Sequence, residues 1–176
     1  RKTQGKHFHE QKASIILAVK EYFPFISIRH PDFECDDVIA TYVLKHSREG
    51  DDCYVISSDS DFIQLHNVCN FTLYNPVRKK EIEKPDYDYV TWKSLRGDAT
   101  DNIPGIPGVG DKTALKLVKD PERLREFLKD EVKREIFDRN VNLIRLVDLT
   151  NAEDEMEIHT TTLNEGNLKS YIEHLG

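Results

Sequence analysis

The stretch "GDATDNIPGIPGVGDKTA", residues 97–114, decides how the rest of this chain is read. It carries three aspartates, five prolines and glycines within the seven residues from Pro104, and a lysine opening a helical run. Asp98 and Asp101 stand three apart, the spacing of one face of a helical turn. The "GIPGVG" segment, 105–110, reads as a tight hairpin between helices, because glycines permit positive φ and close approach of another backbone. The chemical question is why a carboxylate-rich turn stands directly before such a hairpin.

Two more acid clusters lie upstream. "ECDD", 34–37, follows the short apolar strand 25–28 and opens the helix 35–50, which Gly50 closes. "SSDSD", 57–61, ends the β-branched strand 53–58. A third strand is expected at 71–75, with 77–84 turning back against it, and helices at 10–23 and 87–95. Strands alternating with helices up to about residue 75 predict βαβ units and a mainly parallel sheet. From Asp111 the pattern is helical, over 111–119, 121–129 and 131–147. Residues 151–162 read as irregular and 165–175 as a last helix. Ligands of open α/β sheets gather beyond the carboxyl ends of the strands, so the clusters are expected at one edge.

The charge distribution sharpens this. The chain has 176 residues and a net charge of −7. Setting aside Glu34, Asp36, Asp37, Asp59, Asp61, Asp98 and Asp101 leaves 25 acids against 25 lysines and arginines, so the acid excess belongs to one constellation. Two unit charges ~4 Å apart repel by roughly 4 kcal/mol at an effective dielectric of ~20. No lysine or arginine sits inside the clusters. Hard divalent cations with oxygen ligands, Mg²⁺ or Mn²⁺, are the expected counter-charge, and two of them ~4 Å apart make the arrangement of phosphoryl transfer. Each cluster alone also reads as a turn former or helix N-cap. "DSD" lacks the later acid and glycine of a calcium loop.

The hairpin supplies a complementary feature. Its backbone N–H groups and the start of helix 111–119 suit a phosphate, and Lys112 and Lys116 lie on that helix. Gly105, Gly108, Val109, Gly110, Lys112, Thr113 and Lys116 are the candidate DNA-binding residues. An interhelical turn with nothing bound is the simpler alternative. A phosphate grip beside a metal cluster would hold a DNA backbone in register for cutting, without reading sequence.

No apolar run approaches the 18 residues of a membrane-spanning helix. "RKTQGKHFHEQK" has no apolar core of a signal peptide, no initiator methionine and no strand, so the chain is expected to begin inside a longer protein. Its basic residues Arg1, Lys2, Lys6 and Lys12 read as an ordinary terminus or, on the family resemblance given below, as remnants of a single-strand path. Cys35, Cys53 and Cys69, an odd count without CxxC spacing, read as free thiols in a reducing cytoplasm.

Together, "FECDDVIATYV", "VISSDSDFIQLH", "GDATDNIPGIPGVGDKTA" and "NLIRLVDL" resemble the 5′-nuclease (flap endonuclease) superfamily, in particular its bacterial DNA polymerase I and T-even phage ribonuclease H branches. The likeness runs over roughly residues 10–150. It implies a PIN-like α/β domain, with a mainly parallel twisted sheet and flanking helices, over 1–96. It implies a helix–three-turn–helix DNA-binding subdomain over 97–150, followed by a tail over 151–176. By position, Glu34, Asp36, Asp59, Asp61 and Asp101 match acidic metal-site residues, the first four assigned as catalytic; Asp37 and Asp98 match more peripheral acids. The implied cofactors are two Mg²⁺ (or Mn²⁺) ions, with K⁺ at the 105–110 hairpin in some relatives. The implied activity is 5′→3′ exonuclease or flap cleavage. The substrate is duplex DNA with a 5′ flap, nick or RNA primer, acted on by a monomer in a bacterial or phage-infected cytoplasm, alongside replication proteins. The family's first strand, with its essential aspartate, and its basic arch have no counterpart here. A non-catalytic duplex-binding role and a PIN-type ribonuclease acting on single-stranded RNA are the competing readings.

Overall fold

The computed structural model describes residues 6–163, together with 166, 169–171 and 173. In chain order the elements are α1 (Lys6–Tyr22), β1 (Ile26–Arg29), α2 (Cys35–Glu49), β2 (Tyr54–Ile56), β3 (Thr72–Asn75), β4 (Lys80–Ile82), α3 (Tyr89–Arg96), β5 (Gly97–Asp98), β6 (Ile103–Pro104), α4 (Asp111–Val118), α5 (Pro121–Phe127), α6 (Glu131–Ile144) and β7 (Glu157–Thr160). Two 3-10 segments, Asp61–Asn67 and Thr150–Glu155, complete the set. The chain forms two compact units, residues 1–35 with 152–176, and residues 36–151.

In the first unit, β1 pairs antiparallel with β7, from Ile26 opposite Thr160 to Arg29 opposite Glu157. Arg29 holds Glu157 through Nε at 2.6 Å and Nη2 at 2.9 Å, which fixes the register. The strand at 25–28 was expected in a parallel sheet and 151–162 as irregular. The structure instead joins them, because each presents backbone groups that find partners in the other. Along α1, Ile15 and Ile16 are exposed, while Val19 and Tyr22 are half-buried. The helix expected at 165–175 lies largely outside the described residues, as do Arg1 and Lys2.

The second unit holds the expected α/β elements. Asp36 and Asp37 in the first turn of α2, with His46 and Arg48 in the last, complement the helix dipole. β2 runs parallel to β3, and β4 returns antiparallel beside β3. Val55 is buried while Tyr54 and Ile56 are exposed, the alternation a one-sided strand requires. Ala40, Val43, Val55, Phe62, Leu65 and Leu73 form the core here. The 3-10 helix Asp61–Asn67 was not expected; at seven residues it is too short to show a helical period, yet it buries Phe62 and Leu65.

A second core of Leu95, Ile106, Val109, Ala114 and Leu117 joins α3, the hairpin and α4. Fully buried Asn140 on α6 donates from Nδ2 to the carbonyls of Ser94 and Pro104, both at 2.9 Å. Asp98 and Ile103 pair across the short β5–β6 ladder, which periodicity could not reveal. Its two ends touch: a Cβ at Gly97 would meet the Gly105 nitrogen, and one at Gly105 would meet the Arg96 carbonyl. Gly105→Ala should therefore lower stability by at least about 2 kcal/mol, read as a reduced urea midpoint with unchanged slope.

Candidate functional site

Asp59 and Asp61 follow β2 on a self-capped turn. Asp59 N–H donates to Ser57 Oγ at 3.0 Å, and Asp61 N–H donates to Asp59 Oδ1 at 2.9 Å. Asp98 is placed by β5 and accepts the Thr100 N–H at 2.7 Å. α3 delivers Lys93, whose ammonium is buried and pairs with both Asp61 and Asp98, the latter at 2.5 Å. α3 itself is set by Asp88, which accepts the Thr91 N–H as N-cap, and by Gly97 at its other end.

The electrostatics follow from this packing. Burial pushes the Asp61 carboxyl up, Lys93 draws it down, and the neighbouring charges of Asp59 and Asp101 raise it further, for a net upward shift. Burial also acts to raise Asp98, but Lys93 and the Thr100 N–H outweigh it and hold Asp98 below the usual carboxylate range. Burial lowers Lys93, and its bonds to Asp61 and Asp98 more than offset that, so its proton is held above the ordinary lysine value. The two aspartates share one cation yet shift in opposite directions: burial dominates at Asp61, with the charges of Asp59 and Asp101 adding to it, whereas at Asp98 the bonds from Lys93 and the Thr100 N–H outweigh burial.

The structure thus brings Asp59, Asp61, Asp98 and Asp101 into one electrostatic group. Asp37 points its Oδ1 at the Val147 N–H, 2.8 Å away, and so ties α2 to the chain leaving α6. Asp36 is half-buried in the same first turn. Glu34 is exposed and belongs to the first unit. Among the described residues, no three of these seven acids hold their ligand atoms within 4.8 Å of one another; the group that does is His46, Glu49 and Asp51 at the far end of α2. The expectation that no cation lies within the clusters is corrected: Lys93 does. The signal was its position on the buried face of α3 with Tyr89, Val90 and Ser94, where a lysine requires a carboxylate partner.

In the hairpin, Gly108 has φ 79° and is exposed with Gly110. Val109 is a core residue whose N–H donates to the Ile106 carbonyl. Gly110 caps α4 without a side-chain bond, and Lys112, Thr113 and Lys116 are exposed on that helix. The donor set of the acid group, all carboxylate oxygens with charge in excess of one lysine, fits a hard divalent cation.

Comparison with known proteins gives the family. Residues 1–93 match the model described as 5′-3′ exonuclease, N-terminal resolvase-like domain, and residues 85–166 that of 5′-3′ exonuclease, C-terminal SAM fold. DNA polymerase I of Rhizobium leguminosarum is 35% identical over 147 residues, covering 75% of this chain and 14% of that protein. A 5′-3′ exonuclease of Aquifex aeolicus is 30% identical over 171 residues, covering 82% of this chain and 56% of its own length. The chain therefore spans less than two thirds of these relatives. In fold it is similar to the bacteriophage T5 5′-exonuclease solved with zinc ions, with a TM-score of 0.53, 20% identity and coverage of 64% of this chain and 50% of that one. It is likewise similar to the T5 flap endonuclease solved with DNA and metal ions, with a TM-score of 0.53, 20% identity and coverage of 69% and 52%.

Removing the cation from this group has a calculable effect. Lys93→Met leaves two largely buried carboxylates unpaired and should cost about 3 kcal/mol at neutral pH. Because the Lys93 pKa is raised on folding, its stabilisation is complete below the unfolded value of about 10.4 and is lost as pH rises through the folded value. Urea titrations should show the wild-type advantage over K93M shrinking above that pH.

Proposed function

This chain belongs to the 5′-3′ exonuclease family, and on that premise we propose that it is a divalent-metal-dependent 5′ nuclease. It hydrolyses phosphodiester bonds in duplex DNA carrying a 5′ flap, nick or RNA primer. The observation that carries the reading is the buried ammonium held between Asp61 and Asp98, with Asp59 and Asp101 in the field of Asp61, and with Asp98 and Asp101 on the stretch of chain that leads into the glycine hairpin.

Asp59, Asp61, Asp98 and Asp101 would hold Mg²⁺ or Mn²⁺, with Asp36 added from the start of α2. Bound there, two such ions activate a water and neutralise charge on the scissile phosphate. Lys93 keeps Asp61 and Asp98 ionised and aimed. It leaves the Asp59 and Asp101 oxygens without a matching cation of their own inside the group. Gly108, Gly110 and the start of α4 present backbone to a phosphate, with Lys112, Thr113 and Lys116 beside it. That grip reads duplex shape rather than base identity. K⁺ at this hairpin is part of the same proposal. The surrounding surface, balanced in charge once the seven acids are set aside, allows DNA to approach.

The direct test is incubation of the chain with a 5′-flap duplex at low salt in Mg²⁺. Cleavage should be abolished by EDTA and reduced at least about a hundredfold by Asp59→Asn. Glu34→Gln in the same assay reports whether that residue joins the set. Mg²⁺-dependent cleavage unchanged in D59N would overturn the site assignment. Duplex binding without cleavage by the wild-type chain would instead favour a binding-only role.

A further inference from the structure

An open pocket of about 490 Å³ lies between the Asp98–Asp101 turn and the hairpin, lined by Arg96, Gly97, Asn102, Pro104 and Gly105 among others. Arg96 is the one charged side chain in its lining. Its guanidinium sits over the Trp92 ring, 4.7 Å from the centroid, a stacking that orients a planar cation. Its Nε meets Asp111 Oδ1 at 2.6 Å, and that carboxylate is 72% exposed. Trp92 Nε1 in turn donates to the Asp111 carbonyl at 3.4 Å, so ring, cation and carboxylate are held together. A guanidinium has five N–H donors, which one ion pair does not exhaust, and an exposed pair is weak.

From this geometry we propose that Arg96 and its pocket form a further phosphate subsite. It holds an internal phosphodiester of the duplex between the one gripped at the hairpin and the one at the acid group, with Asp111 as the resident partner that the phosphate displaces. The inference rests on the nuclease reading above. A guanidinium matches a phosphate bidentately, and the stacking on Trp92 means little rotamer freedom is lost when DNA binds. Asp111 carries one charge in water, whereas a DNA strand offers a phosphate together with its neighbours, so exchange of partners favours the duplex.

The test is the dissociation constant of the full 176-residue chain for a blunt duplex with 5′-hydroxyl ends, which offers internal phosphates only, measured by anisotropy in EDTA over a range of salt. Arg96→Ala should weaken binding about tenfold at low salt and reduce the salt slope by about 0.9, the value of one phosphate contact. Asp111→Asn should bind as tightly as wild type or more tightly. The exchanged pair, Arg96→Asp with Asp111→Arg, rebuilds the ion pair and should recover stability but not binding. If D111N weakens binding as R96A does, or the exchanged pair restores it, the ion pair is structural and the subsite is overturned. An R96A slope equal to wild type overturns it as well. No duplex binding by the wild-type chain would remove the nuclease reading and this inference with it, whereas wild-type binding with an unchanged R96A slope removes this inference alone.

Discussion

A buried ammonium between two aspartates governs the second unit. Lys93 is 2% exposed, and without Asp61 and Asp98 its desolvation would be prohibitive. The pairing therefore dictates three placements together. α3 must present its buried face to the turn after β2, that turn must carry Asp61 inward, and β5 must bring Asp98 to the opposite side. The small devices around it, the Asp88 N-cap, the Ser57–Asp59–Asp61 ladder and the Gly97–Gly105 approach, each fix one of those placements. Burial, more than anything else, drives Asp61 upward although it has a cation in contact, and the charges of Asp59 and Asp101 add to it.

The second constraint is backbone satisfaction where the helical part meets the sheet. Asn140 gives both amide hydrogens to the carbonyls of Ser94 and Pro104, the two ends of the segment carrying Asp98 and Asp101. Gln64 donates to the Ile144 carbonyl and accepts the Leu146 N–H, while Asp37 and Thr41 accept the N–H groups of Val147 and Leu149. The N–H groups of Leu146, Val147 and Leu149 in the chain leaving α6 are thereby satisfied by side chains. Asp37 is drawn into this work, which separates it from the acids that face Lys93.

Much of the architecture was legible because it is local. The glycines and prolines of 104–110 announce the tight connection into α4, and Gly50 ends α2; the three-residue spacing of Asp98 and Asp101 reads as helical, whereas Asp98 ends β5 and Asp101 lies in the turn to β6. What escaped is non-local or short. Lys93 meets Asp61 across 32 positions, a pairing no window of sequence contains. The 157–160 strand carries charged and polar residues around one isoleucine, and only its partner at 26–29 makes it a strand. Arg96 reads as an ordinary helix-terminal base until Trp92 and Asp111 are seen against it. Among the acids that read as one constellation, Asp59 and Asp101 share the field of Asp61, Asp98 pairs with the same lysine as Asp61, and Asp37 accepts a backbone N–H.

The central claim is that a hard divalent ion completes the charge of the Lys93 group, and metal-dependent stabilisation tests it most directly. A ligand that binds only the folded state raises its melting temperature, by an amount that grows with the logarithm of its concentration above the Kd. Mn²⁺ should raise the melting temperature of the wild-type chain and of a His46→Ala, Asp51→Asn variant alike, and should leave an Asp59→Asn, Asp101→Asn variant unmoved. The opposite pattern, with the response kept in the D59N, D101N variant and lost with His46 and Asp51, would place the ion at the far end of α2 and contradict the account.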